Sequence, residues 1–555
     1  MHEQDGFTRM IARRRQSEPA SVPASLPTSD ASHQIGRNIA IVSLLAIASR
    51  VIGLAREIII ARQFGTSGEY DAYVAAFRVP DLLFLLIMTG SFGSAFIPVF
   101  RNLLDRDEER AWRLASAVIT WTALITIVAA VIVLIFAGPI VRYLVAPGLS
   151  PELQAVSAKM MRILLLSPIL LGMGIAAKGI LETHSRFTMP ALAPLVYNIG
   201  IIFGAVALAP RYGVTGLAIG VVIGALFHIT VQIPDLLRVG LKFQPTLARV
   251  EGLRDVATML GPRVIGQAAF QLNFIIVTYL ASREGEGKVS ALNYAFAIMM
   301  LPNAVIGQSF ATVLFPTMTA QAERGDIDGL RRTLANGLKP LIFMVMPAAI
   351  GLFAFREAII RTVFQSGAFS GTSTALVVQP LAFFALALVF YSLVEILART
   401  FYAMRNVRIP VGAGVLIMII NVVLGVILTP RIGYTGLALS LSLSTAIEAL
   451  ILIAALNWGL GRFDASFGVW FAKVGVATGL MACLSFVLSD HLTGMLADGA
   501  IGRLPGLVLL GWAIALAAGF YAIAAYALRL PEIERWIGIG RRVASRFGLA
   551  RLFRR

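Results

Sequence analysis

Along most of this chain, polar residues punctuate long apolar runs instead of alternating with them. Runs such as Val118–Phe136, Leu341–Phe355 and Leu376–Val394 contain no charge. Each has the length and character of a hydrocarbon-spanning helix, which needs about 20 apolar residues. Segments of about 10 residues alternating apolar with polar, the mark of a membrane strand barrel, do not occur. The pattern predicts an all-α polytopic membrane protein with about fourteen transmembrane helices. The spans fall at 39–64, 70–100, 112–136, 156–182, 189–209, 214–237, 257–282, 289–319, 336–360, 374–402, 409–429, 434–458, 468–489 and 505–528.

The loops between these spans differ in charge. One set holds Arg101, Arg106, Arg110 and Arg113, then Arg238, Lys242, Arg249 and Arg254, then Arg324, Arg331 and Arg332, then Arg405 and Arg408. The opposite set holds one or two basic residues each: Arg142, Arg211, Arg283 with Lys288, Arg431, and Arg503. Basic loops stay cytoplasmic, so an even number of spans and two cytoplasmic termini are expected. Residues 1–35, polar and Ser/Pro-rich with Arg13-Arg14-Arg15, read as a disordered basic cytoplasmic tail. No secretory signal is expected there, because the first apolar stretch starts only near Ile39, carries arginines and lacks a cleavage site. At the other end, 531–555 places Trp536, Ile537, Val543, Phe547 and Leu549 among arginines. That composition predicts an amphipathic helix on an anionic leaflet.

Several segments recur. Pro210-Arg-Tyr-Gly-Val-Thr-Gly-Leu-Ala218 returns as Pro430-Arg-Ile-Gly-Tyr-Thr-Gly-Leu-Ala438, and Ser91–Pro98 returns as Ser309–Pro316. Arg50-Val-Ile-Gly53 returns as Arg263-Val-Ile-Gly266, and Pro190 matches Pro410, all at offsets between 213 and 220 residues. The repeating unit is therefore six helices, and an even number gives both copies the same orientation. The organisation expected is an N-lobe over 36–240, a cytoplasmic amphipathic linker over 241–256 and a C-lobe over 257–460. Two further helices follow over 461–530, and the basic tail over 531–555.

Composition sharpens this reading. The chain is 58% hydrophobic and 14% charged, with mean hydropathy +0.81, far from a soluble domain, which is about 25% charged. The net charge of +17 follows from the basic loops, so no nucleic-acid partner is expected. A single cysteine, Cys483, excludes an intramolecular disulfide or a paired-cysteine metal site. No Gly-Lys-Ser/Thr phosphate loop and no nucleophile-and-base set appears, and the five histidines are scattered. The expected activity is transport without catalysis, cofactor or resident metal.

The exceptions to apolarity point to the path. A charge at a helix centre costs roughly 2.5–3.5 kcal/mol on insertion scales. On a 100° wheel, Ser49, Arg50, Gly53, Arg56 and Glu57 share one face of the first span, and Asp71, Arg78 and Asp81 share one face of the second. Both faces are expected to look into one water-filled cavity that attracts anions. Arg50, Arg56 and Arg78 are the leading ligands, since a guanidinium donates two parallel hydrogen bonds to a phosphate. The alternative for Arg50 and Glu57 is a helix-to-helix clamp. Arg62, Glu69 and Asp71 lie near the outer end, where the alternative is a place among headgroups. Lys178, Glu182, Asp235, Lys339 and Lys473 lie near span ends, and for the deeper Glu395 and Glu448 protonation, pairing with Arg399 and a relay are the alternatives.

Ser49-Arg50-Val-Ile-Gly53-Leu-Ala-Arg56-Glu57, followed by Ala61-Arg62-Gln-Phe64-Gly65, resembles the opening signature of the MurJ/MviN family of lipid II flippases in the MOP exporter superfamily. The likeness continues through Asp71-Ala72-Tyr73, Phe77-Arg78-Val-Pro80-Asp81 and Ala95–Pro98, resumes at Leu301-Pro302, Gly307 and Leu314–Pro316, and covers 36–528. It implies two six-helix lobes around a cationic cavity, with the last two helices forming a groove for a polyprenyl tail. It also implies alternating-access transfer of an undecaprenyl-diphosphate-linked disaccharide-pentapeptide across the bacterial inner membrane. Membrane lipids and the cell-wall synthesis machinery are the implied partners, and residues matching Arg50, Arg56 and Asp71 are important in the family. The chain departs from the family pattern at Phe84 and near Ala297, where cavity arginines are usual, and at Thr89, where an acid is usual. At the acidic sodium ligands of some members it offers Asn273 and Asn421, so coupling to sodium, protons or membrane potential stays open. Export of another polyprenyl-diphosphate oligosaccharide, or a non-transporting scaffold, are the alternatives.

Overall fold

The computed structural model describes residues 29–91, 96–461, 466–497, 502–534 and 538, and among them every regular element is a helix. In chain order these are α1 (Ser29–Phe64), α2 (Gly68–Ser91), α3 (Phe96–Leu104), α4 (Glu108–Pro139), α5 (Pro151–Leu164), α6 (Leu166–Thr183), α7 (Thr188–Phe203), α8 (Ala209–Tyr212), α9 (Thr215–Thr230) and α10 (Ile233–Arg238). They continue with α11 (Leu253–Ser282), α12 (Lys288–Val305), α13 (Gly307–Glu323), α14 (Ile327–Val363), α15 (Gly371–Ala403), α16 (Arg408–Ile432), α17 (Thr435–Leu460), α18 (Ser466–Ala497) and α19 (Arg503–Ala527). Eleven of the described helical stretches are long and apolar enough to cross a membrane. Three of the expected spans, α1, α2 and α11, have 36, 24 and 30 residues but lie outside that set. At 1.5 Å per residue their length suffices; α1 and α2 carry the intramembrane charges discussed above.

The helices overrun the apolar spans because backbone hydrogen bonding does not stop where hydrocarbon does. α1 starts at Ser29, inside the segment expected to be tail, and α14 starts at Ile327, where the Asp326 carboxylate accepts from Gly329 N at 2.8 Å. Asp107 likewise accepts from Glu109 N and Arg110 N at 3.0 and 3.1 Å to start α4. The expected span at 289–319 is broken at Ile306, between α12 and α13.

One compact unit contains the described residues up to Ala291 together with Ser366–Ser373. The repeat unit and the compact unit therefore end in different places, since α11, first helix of the second repeat, packs against α2. Within this unit α1 packs on α7, and α7 on α9. The α7–α9 contact is a glycine seam: a methyl group on Gly200 would lie 2.3 Å from Gly224 Cα, and one on Gly204 2.5 Å from Gly220 Cα. An aromatic cluster closes α3, α4 and α6, with Phe100 4.9 Å from Phe96 and 5.8 Å from Trp112 between ring centres. Residues 241–247 form no helix. They run along α4, where Gln244 N donates to Ser116 Oγ at 3.1 Å and Lys242 pairs with Glu108 at 3.1 Å. On its other side α4 exposes Ile125, Val128, Ile132 and Ile135, an apolar face that suits lipid.

The other unit holds Leu292–Gln365 and the described residues from Thr374 onward. Here α14 packs on α18 and α19, and α16 on α17. Tyr521 Oη donates to Phe343 O and Ser489 Oγ to Ala354 O, both at 2.8 Å. Trp470 Nε1 donates to the buried Glu532 at 2.9 Å, anchoring the chain just beyond α19. The amphipathic helix expected over 531–555 lies, apart from 531–534 and 538, outside the described residues.

The recurring Pro-Arg-x-Gly-x-Thr-Gly motif does the same work in each unit. Gly213 and Gly433 take φ of +57° and +68°, ending one helix before the next begins. A methyl group on Gly216 would lie 2.6 Å from Ala209 N, and one on Gly436 2.8 Å from Leu428 C.

Candidate anion-binding site

The polar face of α1 meets α7. Arg56 Nη1 donates to Asn198 Oδ1 at 2.9 Å, and Arg56 Nη2 makes a direct ion pair with Glu57. The side chains of Arg56 and Glu57 keep 25% and 19% of their surface. Gly53, one turn earlier, lies opposite Asn198, and a methyl group there would stand 3.9 Å from Oδ1. Ser49 is half-buried and Arg50 exposed on the same helix. The two contacts use two of the five Arg56 N–H donors, leaving a part-exposed, oriented guanidinium on α1.

The polar face of α2 meets α11 instead. Arg78 Nε donates to Thr278 Oγ1 at 2.8 Å, and its guanidinium carbon lies 5.5 Å from the Phe274 ring centre. Asp81 Oδ2 accepts from Gln271 Nε2 at 3.1 Å. Tyr197, next to Asn198 on α7, lies near both Arg56 and Asp81. Arg78 and Asp81, one turn apart on α2, also lie near each other.

Asp71 is placed differently from the open cavity group expected. It has 0% exposure, and its oxygens accept from Gly287 N at 2.6 Å, Ser290 N at 2.7 Å and Ser290 Oγ at 2.5 Å. Gly287 and Ser290 bracket the start of α12, so Asp71 caps that helix. The exchange is mutual, because Glu286 Oε1 accepts from Gly68 N, at the start of α2, at 2.6 Å. These are equivalent helices of the repeat, each capped by a carboxylate from the other's neighbourhood. No exposed surface of Asp71 is left for substrate in this arrangement.

Phe84 is half-buried on α2 and Ala297 half-buried on α12; the side chain of Thr89 and those of Arg263–Gly266 lie outside the described residues. Asn421 Oδ1 already accepts from Ser440 Oγ at 2.8 Å, and Asn273 is buried. Glu395 lies 3.7 Å from Arg399, Lys178 3.8 Å from Glu182, and Asp235 3.0 Å from Arg238. Sequence reasoning missed Asn198, Tyr197, Thr278 and Gln271. Asn198 had a signal: it is the one side-chain amide in the expected span 189–209.

The family model described as lipid II flippase MurJ matches residues 60–499. A Burkholderia cenocepacia protein named lipid II flippase MurJ is 33% identical over 430 residues, 75% of this chain and 82% of that protein. The solved structure of a lipid II flippase MurJ in an inward closed conformation superposes with TM-score 0.74 at 25% identity, covering 88% of this chain and 99% of that one. An inward-facing multidrug resistance MATE family transporter of the MOP superfamily shares the fold at TM-score 0.64 and 15% identity, covering 74% and 94%.

Proposed function

Because this chain belongs to the lipid II flippase MurJ family, we infer that it is a multi-pass membrane flippase that moves lipid II from the inner to the outer leaflet. One observation carries the site assignment: Arg56 is held at both terminal nitrogens, yet keeps a quarter of its side chain exposed within a helix of the membrane domain. Charge is costly to bury there; Glu57 offsets part of it, and a diphosphate offers the planar fork two further oxygens. Arg50 extends the positive face of α1, and Arg78 supplies a third cation, from α2. Glu57 and Asp81 offset part of this charge, and the Arg56 N–H donors not used by Glu57 and Asn198 remain for an arriving diphosphate.

Both termini and the segment at 238–254 face the cytoplasm in this reading, and 283–288 faces outward. Introducing Pro245→Cys or Glu284→Cys after replacing Cys483 tests it. An impermeant thiol reagent applied to intact cells should label the second and spare the first; the opposite pattern overturns the orientation. Phe84 and Ala297 favour one second reading, export of a different polyprenyl-diphosphate-linked oligosaccharide, because the sequence carries fewer arginines at these positions than the family pattern. Mass spectrometry of lipids co-purifying with the protein separates the two. Collapsing the sodium, proton and electrical gradients in turn identifies the driving force.

A further inference from the structure

Asn198 lies outside both polar faces that the sequence nominates, and we propose that it is a positioning residue for substrate binding, fixing the plane of the Arg56 guanidinium toward the phosphates. This rests on the flippase reading above. An arginine side chain has about 2 kcal/mol of rotamer entropy to lose, and its fork binds two oxygens only in the right plane. Glu57, the next residue on the same helix, holds one terminal nitrogen. A single contact permits rotation about it. Asn198, from α7, holds the other nitrogen at 2.9 Å, and two fixed points on a planar group define its orientation.

Asn198 is itself fixed. Its Nδ2 donates to Pro194 O at 2.9 Å, which directs Oδ1 and not the NH2 at Arg56. It is 8% exposed, so no large substrate reaches it directly; its action passes through the arginine. Nor is it needed to hold α1 on α7. Gln63 Nε2 donates to Ala205 O at 2.6 Å, two turns farther along α1 and just past the end of α7, a second tie between the two chain segments. An uncharged amide that serves neither as ligand nor as the sole clamp is accounted for by orienting its neighbour.

The test is a four-variant cycle on the full-length protein in nanodiscs: wild type, Asn198→Leu, Arg56→Ala and the double variant. Undecaprenyl diphosphate and lipid II are the probes, and melting temperature is followed in parallel. Asn198→Leu should weaken binding of both probes about tenfold, the lower end for a charge-assisted hydrogen bond. In the Arg56→Ala background the same change should have no further effect. Asn198→Ser, smaller and still polar, should repeat this result if the leucine variant folds poorly. Equal weakening by the Asn198 change in both backgrounds, or none in either, overturns the proposal while leaving the flippase reading intact. A wild-type protein that binds neither probe overturns the flippase reading and this inference with it.

Discussion

Arg56 and Asp71 are both ionisable side chains on the polar faces of consecutive helices, and their surroundings set them apart. Asp71 is fully buried, with three donors converging on its carboxylate. Arg56 has two partners and a part-exposed guanidinium. A carboxylate whose oxygens are consumed by a helix start is a fastening. A guanidinium oriented but not saturated has donors left for the proposed substrate. Position on a polar face therefore identifies residues the membrane tolerates for a reason, and the degree of satisfaction tells which reason.

The comparison breaks or sharpens in graded steps. The largest effect is expected from Asp71→Ala, which orphans Gly287 N, Ser290 N and Ser290 Oγ. Each buried unsatisfied group costs about 1–3 kcal/mol, so stability should fall by about 3 kcal/mol or more, read as a lower melting temperature in detergent. Next comes Arg56→Ala, which should weaken undecaprenyl diphosphate binding by roughly one to two orders of magnitude, the value of one charge-assisted hydrogen bond. Its melting temperature should fall less than that of Asp71→Ala, since the Arg56–Glu57 pair is part-exposed. If the two variants lose stability and binding in the same proportion, the division of roles fails. Arg56→Lys should recover only part of the binding, because a point charge cannot reproduce the fork. The smallest effect is expected at Arg62, an exposed side chain whose carbonyl accepts from Ala368 N at 2.8 Å. Arg62→Ala keeps that carbonyl and should leave rescue of growth within about twofold, as surface changes usually do.

Much of this was legible in the chain itself. Eleven of the expected spans followed from apolar length, and the polar arcs of α1 and α2 from helical periodicity. Helix ends were less legible, because α1 and α14 continue as helix through polar sequence that hydropathy cannot assign. The partners were least legible. Ser290 sits 219 residues from Asp71, and nothing local marks it as the receiver of a cap. Asn198 reads in sequence like any amide bonded between helices, and only its distance to Arg56 Nη1 suggests the positioning role proposed above. The preference of α2 for α11 over α1 was hidden too, because periodicity gives the direction of a face but not what it meets.

The most direct test of the central claim is rescue of a flippase-depleted bacterium by the wild-type protein and by Arg56→Ala, with membrane abundance measured by blotting. Wild type should restore growth and lipid II translocation, while Arg56→Ala, present at normal abundance, should restore neither. Failure of the abundant wild type to rescue, or full rescue by Arg56→Ala, would contradict the account.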